Sequence, residues 1–224
     1  MEPSLNPGKH SAPSIDKQAN CFSFSGYHYD PGSGEATLSY DVDACRLHEK
    51  ISFPWAPWPV DASRQAAFFQ ALELLHQIAG ISYFKAGLAS RIVTSDIKIS
   101  GLMAVFLKEL YLKGLAEFAY INKLDLTGLI DFEVNADDLS DPADPPGQSH
   151  SSHQKFAHPV DLPERALVAM GGGKDSLVCL QMLKRAGVEV QPVCVGGSAL
   201  IGETVKAAGL PLIRIQRELS PELS

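Results

Sequence analysis

Cysteine is scarce and unpatterned in this chain. Only four occur in 224 residues (Cys21, Cys45, Cys179 and Cys194), and none forms a C-x-x-C pair. Free thiols in a reducing compartment are the simplest reading, with Cys179 and Cys194 expected in the core because their neighbours are apolar. No apolar run approaches the ~18 residues of a membrane span. Positive charge is also in short supply: 19 Lys and Arg face 26 Asp and Glu, a net charge of −7. No basic strip is present to follow a nucleic-acid backbone, so nucleic acid is not an expected partner. Met1 to Lys17 is polar and proline-bearing and lacks the apolar centre of a secretory signal, which points to a cytoplasmic protein. What remains is 45% hydrophobic and 20% charged, the composition of a soluble globular protein with room for one or two domains.

The most informative stretch is Ala166-Leu-Val-Ala-Met-Gly-Gly-Gly-Lys-Asp-Ser-Leu-Val-Cys-Leu180. An apolar β-type run from Ala166 to Met170 stops at three glycines, Gly171, Gly172 and Gly173. Lys174, Asp175 and Ser176 follow, and a helical pattern begins. Consecutive glycines let the backbone turn sharply and leave its N–H groups uncovered, and the helix behind them adds free N–H groups and the positive end of its dipole. That combination is an anion cradle, and phosphate is the anion that suits it.

Two common phosphate loops do not fit. A Walker A loop requires Gly-x-x-x-x-Gly-Lys-Ser/Thr, whereas Gly173-Lys174 is followed by Asp175 and preceded at the first glycine position by Val168. A dinucleotide fingerprint requires a third glycine where Ser176 stands, and an acid after the next strand, which here ends in Cys194-Val195-Gly196-Gly197. The run Ala169 to Ser176 instead resembles the PP-loop of the ATP pyrophosphatases, Ser-Gly-Gly-x-Asp-Ser after a strand, with Gly171 where that superfamily commonly has serine. The resemblance implies cleavage of ATP between its α and β phosphates. The acidic net charge weighs against the tRNA-modifying branches of that superfamily.

Along the chain, residues 1–17 read as a disordered N-terminus and residues 18–134 as an α+β domain. Strands are expected over 22–30, 35–42 and 50–53 as an antiparallel meander, with Trp55 and Trp58 over its open face. Asp61 is an expected N-cap for a helix to Ala79, with Phe68, Leu72, Leu75 and Ala79 inward and Gly80 as its stop. Ser100 is expected to cap a helix to Lys113 closed by Gly114. Its apolar Leu102–Leu107 run suggests a deep position. Residues 115–122 fit either helix or turn. Residues 135–160, rich in Asp, Pro, Ser and His, read as an exposed linker. The His-x-x-His of His150 and His153 there has no cysteine or acid cluster to complete a metal site.

Residues 161–224 read as strand, helix, strand, helix, strand, which implies a parallel sheet with right-handed crossovers. The expected fold class is therefore α/β: an N-terminal α+β domain followed by a truncated parallel-sheet PP-loop domain. Three parallel strands and two helices are too few to cover both faces of such a sheet. This segment is expected to be a fragment, marginal alone, with its third strand short of neighbours.

Other stretches carry a narrower resemblance. Phe24-Ser-Gly-Tyr27, Ile51-Ser-Phe-Pro-Trp55, Leu74 to Gly87, Tyr111 to Phe118 and Phe156-Ala-His-Pro159, together with the glycine loop, are similar to the bacterial UDP-N-acetylmuramoyl-L-alanyl-L-glutamate epimerase family of peptidoglycan precursor synthesis. That family implies an isomerase that uses ATP and Mg2+ to invert the terminal glutamate of a UDP-muramoyl dipeptide. Gly172, Gly173 and Lys174 are then expected as backbone donors to the β and γ phosphates, Ser176 as a hydroxyl donor, and Asp175 as a loop-shaping residue or magnesium ligand. Met170, Val195 and Gly196 lie at the carboxyl ends of strands, where open α/β sheets bind nucleotides. Lys85, Glu117 and Tyr120 are candidates for substrate contact. The epimerisation base and the oligomeric state are not identifiable, and this short chain is expected to show little turnover. Two alternatives stay open: another PP-loop adenylating enzyme that forms an amide or thioamide, and a non-catalytic nucleotide-binding fragment.

Overall fold

The structure is a computed structural model that describes residues 18–54, 62–94, 97, 99–134, 164–197 and 199–223, with the backbone alone at 62 and 63. The expectations for residues 1–17, for Trp55, Trp58 and Asp61, and for the linker over 135–160 lie outside the described residues.

The chain is α/β. Strands β1 (Cys21–Asp30), β2 (Glu35–Val42) and β3 (Cys45–Ser52) form the expected antiparallel meander. Helices α1 (Ala62–Ala79) and α2 (Ile81–Gly87) follow, then the short strand β4 (Arg91–Val93), which pairs parallel to β1. Helices α3 (Gly101–Gly114) and α4 (Ala116–Asn122) come next, so 115–122 resolves largely as helix. After the undescribed stretch come β5 (Ala166–Ala169), α5 (Lys174–Arg185), β6 (Val190–Val195), α6 (Ala199–Ala207) and β7 (Ile213–Glu218). Among the described residues the strands make one mixed seven-stranded sheet in the order β4-β1-β2-β3-β7-β6-β5. The last three are parallel, as their alternation with helices implies.

Several expectations need correction. The third strand begins at Cys45, not near Lys50. Its inward positions are Leu47, Glu49 and Ile51, and the buried carboxylate of Glu49 interrupts the apolar alternation. The third parallel strand is not left without a neighbour. β7 lies between β6 and β3, with Lys50 opposite Glu218, Ile51 opposite Arg217 and Ser52 opposite Gln216. Arg217 closes this junction by donating from Nε and Nη2 to the Glu49 carboxylate, which is 1% exposed. Charge pairing thus joins two stretches separated by 168 positions in sequence. Burial, and then the nearby Glu49 charge, raise the pKa of the neighbouring phenols Tyr40 and Tyr83, so both stay protonated.

Helix α1 ends at Ala79 and Gly80 follows it, as expected, but not in a left-handed conformation. Its φ of −53° is helical, and a Cβ there would lie 2.7 Å from both Phe24 Cε1 and the Tyr111 hydroxyl. It is glycine because α1 must turn into α2 against those rings. Ser100 does cap α3, its Oγ accepting from Met103 N–H at 3.3 Å. However, α3 is not deep. Ala104, Leu107 and Tyr111 face the core, while Leu102 (84% exposed), Val105 and Phe106 face outward. The apolar run has a buried and an exposed side, and composition alone cannot separate them. Cys194 is buried as expected, but Cys179 is exposed on the outer side of α5.

The larger core lies over β1–β3. Phe22, Phe24, Tyr40, Tyr83, Phe84 and Tyr111 are fully buried there, and the Tyr40 and Tyr83 rings stack with centroids 4.3 Å apart. The buried hydroxyls of Tyr40 and Tyr111 are used. Tyr40 donates to the His76 carbonyl at 2.9 Å and Tyr111 to the Gln77 carbonyl at 2.8 Å, near the end of α1. A second, smaller core joins Val168, Met170, Val190 and Cys194 of the sheet to Leu180 of α5 and Ile201 and Val205 of α6. Both helices therefore cover the same face of the parallel strands, as two crossovers of one hand require.

Candidate glycine-loop anion site

The loop at the end of β5 is built by its glycines. Met170 N–H still continues the ladder, donating to the Val193 carbonyl at 2.7 Å. The chain then leaves the sheet. Gly172 has φ +84°, a left-handed value that side-chain-bearing residues rarely adopt. Gly173 is extended, at φ −85° and ψ 164°, and serves as the N-cap of α5 without a side-chain cap bond. The first N–H groups of α5 thus have no side chain of Gly173 to receive them, and the helix dipole adds partial positive charge at the same place. Residues 171–175 are all exposed. A Cβ on Gly171 or Gly173 would meet nothing within 4 Å, so open space lies beside this backbone.

A second glycine turn lies after β6, the next parallel strand. Gly196 and Gly197 have φ values of +61° and +89°. Arg214 of β7 holds this turn, its Nη1 donating to the Gly196 carbonyl at 2.5 Å and the Gly197 carbonyl at 3.0 Å. Ile201 bridges the two turns: a Cβ on Gly172 would lie 3.4 Å from Ile201 Cγ1, and one on Gly197 would lie 2.9 Å from Ile201 Cδ1. The two turns lie side by side at the carboxyl ends of adjacent parallel strands, the end of the sheet at which open α/β folds hold ligands. Arg214 is the residue that sequence reading missed. The alternation of β7 places it beside Cys194, on the helix-covered face, and an inward guanidinium there demands acceptors. That demand was the available signal.

The expected site residues divide by what they have to offer. Gly171, Gly172, Gly173, Lys174 and Asp175 line the exposed loop. Ser176 is half-buried, and its Oγ donates to the Gly173 carbonyl at 2.9 Å, so the hydroxyl fixes the loop and keeps lone pairs rather than a free proton. The Met170 side chain is 4% exposed and belongs to the core, leaving its carbonyl as the group nearest the loop. Val195 is exposed, while the Gly196 N–H donates to the Ile215 carbonyl at 2.7 Å. Lys85 lies on α2, its Nζ 4.5 Å from the Phe118 ring centroid. It lines a separate cleft with Leu88, Leu124, Asp125 and Leu129, to which no glycine-loop residue contributes. Glu117 and Tyr120 are exposed on α4. The structure does not bring these three to the loop.

Among the described residues, no group of three His, Cys, Asp or Glu side chains converges to hold a metal. Asp175 offers one carboxylate beside the cradle. That fits magnesium, which commonly takes one or two carboxylates and completes its shell with phosphate oxygens and water. No helix among the described residues is long and apolar enough to cross a membrane.

The family model described as the MurL N-terminal domain matches residues 14–224. The chain belongs to the MurL N-terminal domain family. Among curated proteins, a UDP-N-acetyl-alpha-D-muramoyl-L-alanyl-L-glutamate epimerase of Xanthomonas oryzae pv. oryzae is 39% identical over 207 residues, covering 92% of this chain and 43% of the relative. Proteins of the same name from Micromonospora sp. and Salinispora tropica are each 32% identical over 92% of the chain, covering 44% and 43% of their own lengths. This MurL N-terminal domain chain thus spans less than half the length of the curated relatives it matches. No solved structure matches it.

Proposed function

We propose that this chain supplies the ATP-binding part of an epimerase that inverts the terminal L-glutamate of UDP-N-acetylmuramoyl-L-alanyl-L-glutamate in peptidoglycan precursor synthesis. The observation that carries this reading is the glycine cradle, with its left-handed Gly172 and uncapped α5, in a chain whose curated relatives bear that enzyme's name. The four cysteines are free, which suits a reducing cytoplasm.

The chemistry explains why an epimerase needs a phosphate cradle. A proton α to a carboxylate is hard to remove because the carbanion would form beside existing negative charge. In the proposed reaction a carboxylate oxygen attacks the α phosphorus of ATP and the bond to the β phosphate breaks, releasing pyrophosphate. The adenylated carboxyl is neutral at its carbonyl and accepts the electron pair when a base takes the α-proton. A proton returns from the opposite face, and water then cleaves the mixed anhydride to AMP and D-glutamate. Backbone N–H groups of Gly172, Gly173 and Lys174 hold the departing phosphates, and Lys174 adds an ammonium. Bound magnesium would neutralise phosphate charge, with Asp175 as its protein ligand.

The test is product analysis in heavy water, using this domain fused to the length that the Xanthomonas relative has beyond the matched region. With the UDP-muramoyl dipeptide, ATP and magnesium, the product should be D-configured and carry deuterium at the α-carbon, with AMP and pyrophosphate formed. Asp175→Ala should lower the rate about 100-fold or more while leaving the fold intact. ADP as the main product, or a D product that keeps its original α-hydrogen, would sink the mechanism. An L product bearing new nitrogen or sulfur would identify an amide or thioamide former instead.

A further inference from the structure

The parallel strands have one face covered by helices; among the described residues the other face is open over β5 and the end of β6, while Ile215 of β7 packs against the larger core. On β6, Val190, Pro192 and Cys194 are buried under the helices, whereas Gln191, Val193 and Val195 alternate to the other side. The register places Leu167 opposite Gln191, Ala169 opposite Val193 and Val193 opposite Ile213. The second face is therefore apolar too, yet Leu167 is 68% exposed and Val195 59% exposed. Strands of a parallel sheet are apolar on both sides because both sides are normally covered.

The edge is open as well. Among the described residues β5 ends the strand order, with β6 on one side only. Ala166 N–H donates to the Glu189 carbonyl and Met170 N–H to the Val193 carbonyl. Backbone groups alternate along a strand, so the N–H and C=O of Leu167 and Ala169 point to the side away from β6. An unpaired edge with an apolar flank is a template for another strand.

We infer that this edge and face take up a parallel strand, with a helix lying over Leu167, Val193 and Val195, from the polypeptide that the curated relatives have outside the matched region. Over half of the Xanthomonas relative lies outside it, ample for the dozen or so residues that a parallel crossover needs. A strand added there flanks the glycine loop on the side opposite Gly196 and Gly197.

Amide hydrogen exchange, read without nucleotide, tests this independently of the proposed function. In the chain alone, the amides of Leu167 and Ala169 should exchange fast, and those of Val168 and Met170 slowly. Fused to the unmatched length of the Xanthomonas relative, the first two should slow at least tenfold. Leu167→Asp should reverse that protection in the fusion and leave exchange in the chain alone unchanged. Fast exchange at Leu167 and Ala169 in the folded fusion would overturn the inference, as would protection confined to Leu102, Val105 and Phe106 of α3. A concentration-dependent dimer of the chain alone that protects the same two amides would place a second copy there and overturn it equally.

Discussion

In the antiparallel half of the sheet, Phe22, Phe24, Leu38 and Tyr40 are wholly buried beneath α1 and α2. In the parallel half, Leu167 and Val195 stand exposed on strands of the same sheet. The first half encloses its polar groups along with its apolar ones, using tyrosine hydroxyls to satisfy the carbonyls of His76 and Gln77. The second half has a small core on one face and keeps its loop backbone bare. A closed core supplies stability, whereas an anion cradle must leave N–H groups unpaired for a ligand. Separating the two lets the cost of one be met by the other.

Core truncation should expose this contrast most strongly. Phe24→Ala should lower unfolding stability by about 3–5 kcal/mol in urea titrations, while Leu167→Ala should change it by less than about 0.5 kcal/mol. Comparable losses at both positions would show that the parallel half is as closed as the other.

Glycine substitutions probe the same difference by adding an atom. Gly80→Ala should cost about 2 kcal/mol, because the new Cβ meets Phe24 and Tyr111, both locked in the core. Gly171→Ala adds its Cβ to open space and should leave the melting temperature within about 2 °C of the parent.

The junction between the halves should respond more modestly. Glu49→Gln removes the carboxylate that receives Arg217, and should cost about 1–2 kcal/mol because Arg217, being partly exposed, regains water. Exchange of the β7 amides should rise more than that of β1. A uniform rise would mean that the halves unfold as one unit.

The smallest effect is a pH slope. His76 is fully buried and offers Nε2 to the Ser39 carbonyl at 2.9 Å, which requires the proton on that nitrogen, while Nδ1 has no partner. Burial pushes its pKa below the ordinary value of 6.5, against a smaller raising effect of the Ser39 bond. The unfolded chain therefore takes up the proton first. Stability from this group is complete above about pH 6.5 and declines as pH falls toward the folded pKa. Asp30 and Asp41, whose pKa values are also lowered, act at more acidic pH. Between pH 7.5 and 5.5 the parent should lose about 1 kcal/mol more than His76→Gln. Parallel profiles would show that burial does not shift the titration of His76.

Much of the fold was legible because its signals are local. Period-two alternation marked Glu35–Val42, and glycine stops bounded the helices before Gly187 and Gly209, both at positive φ. Ser100 showed its cap in sequence. The glycine loop was legible for the same reason, since Gly171 to Ser176 is contiguous. What escaped notice depends on distant partners. Glu49 looks like a strand breaker until Arg217 reaches its carboxylate from β7, β4 is three residues long and needs β1 to exist, and Arg214 acquires a role only beside Gly196 and Gly197.

The sequence by itself determined the parallel βα units, the anion cradle and the family resemblance, because each rests on residues adjacent along the chain. Only the tertiary structure decided that β7 lies between β6 and β3, that α3 shows solvent an apolar side, and that Ser176 spends its proton on the loop. Those outcomes follow from which surfaces meet, and burial and hydrogen bonding between remote residues have no fixed spacing in the chain to announce them.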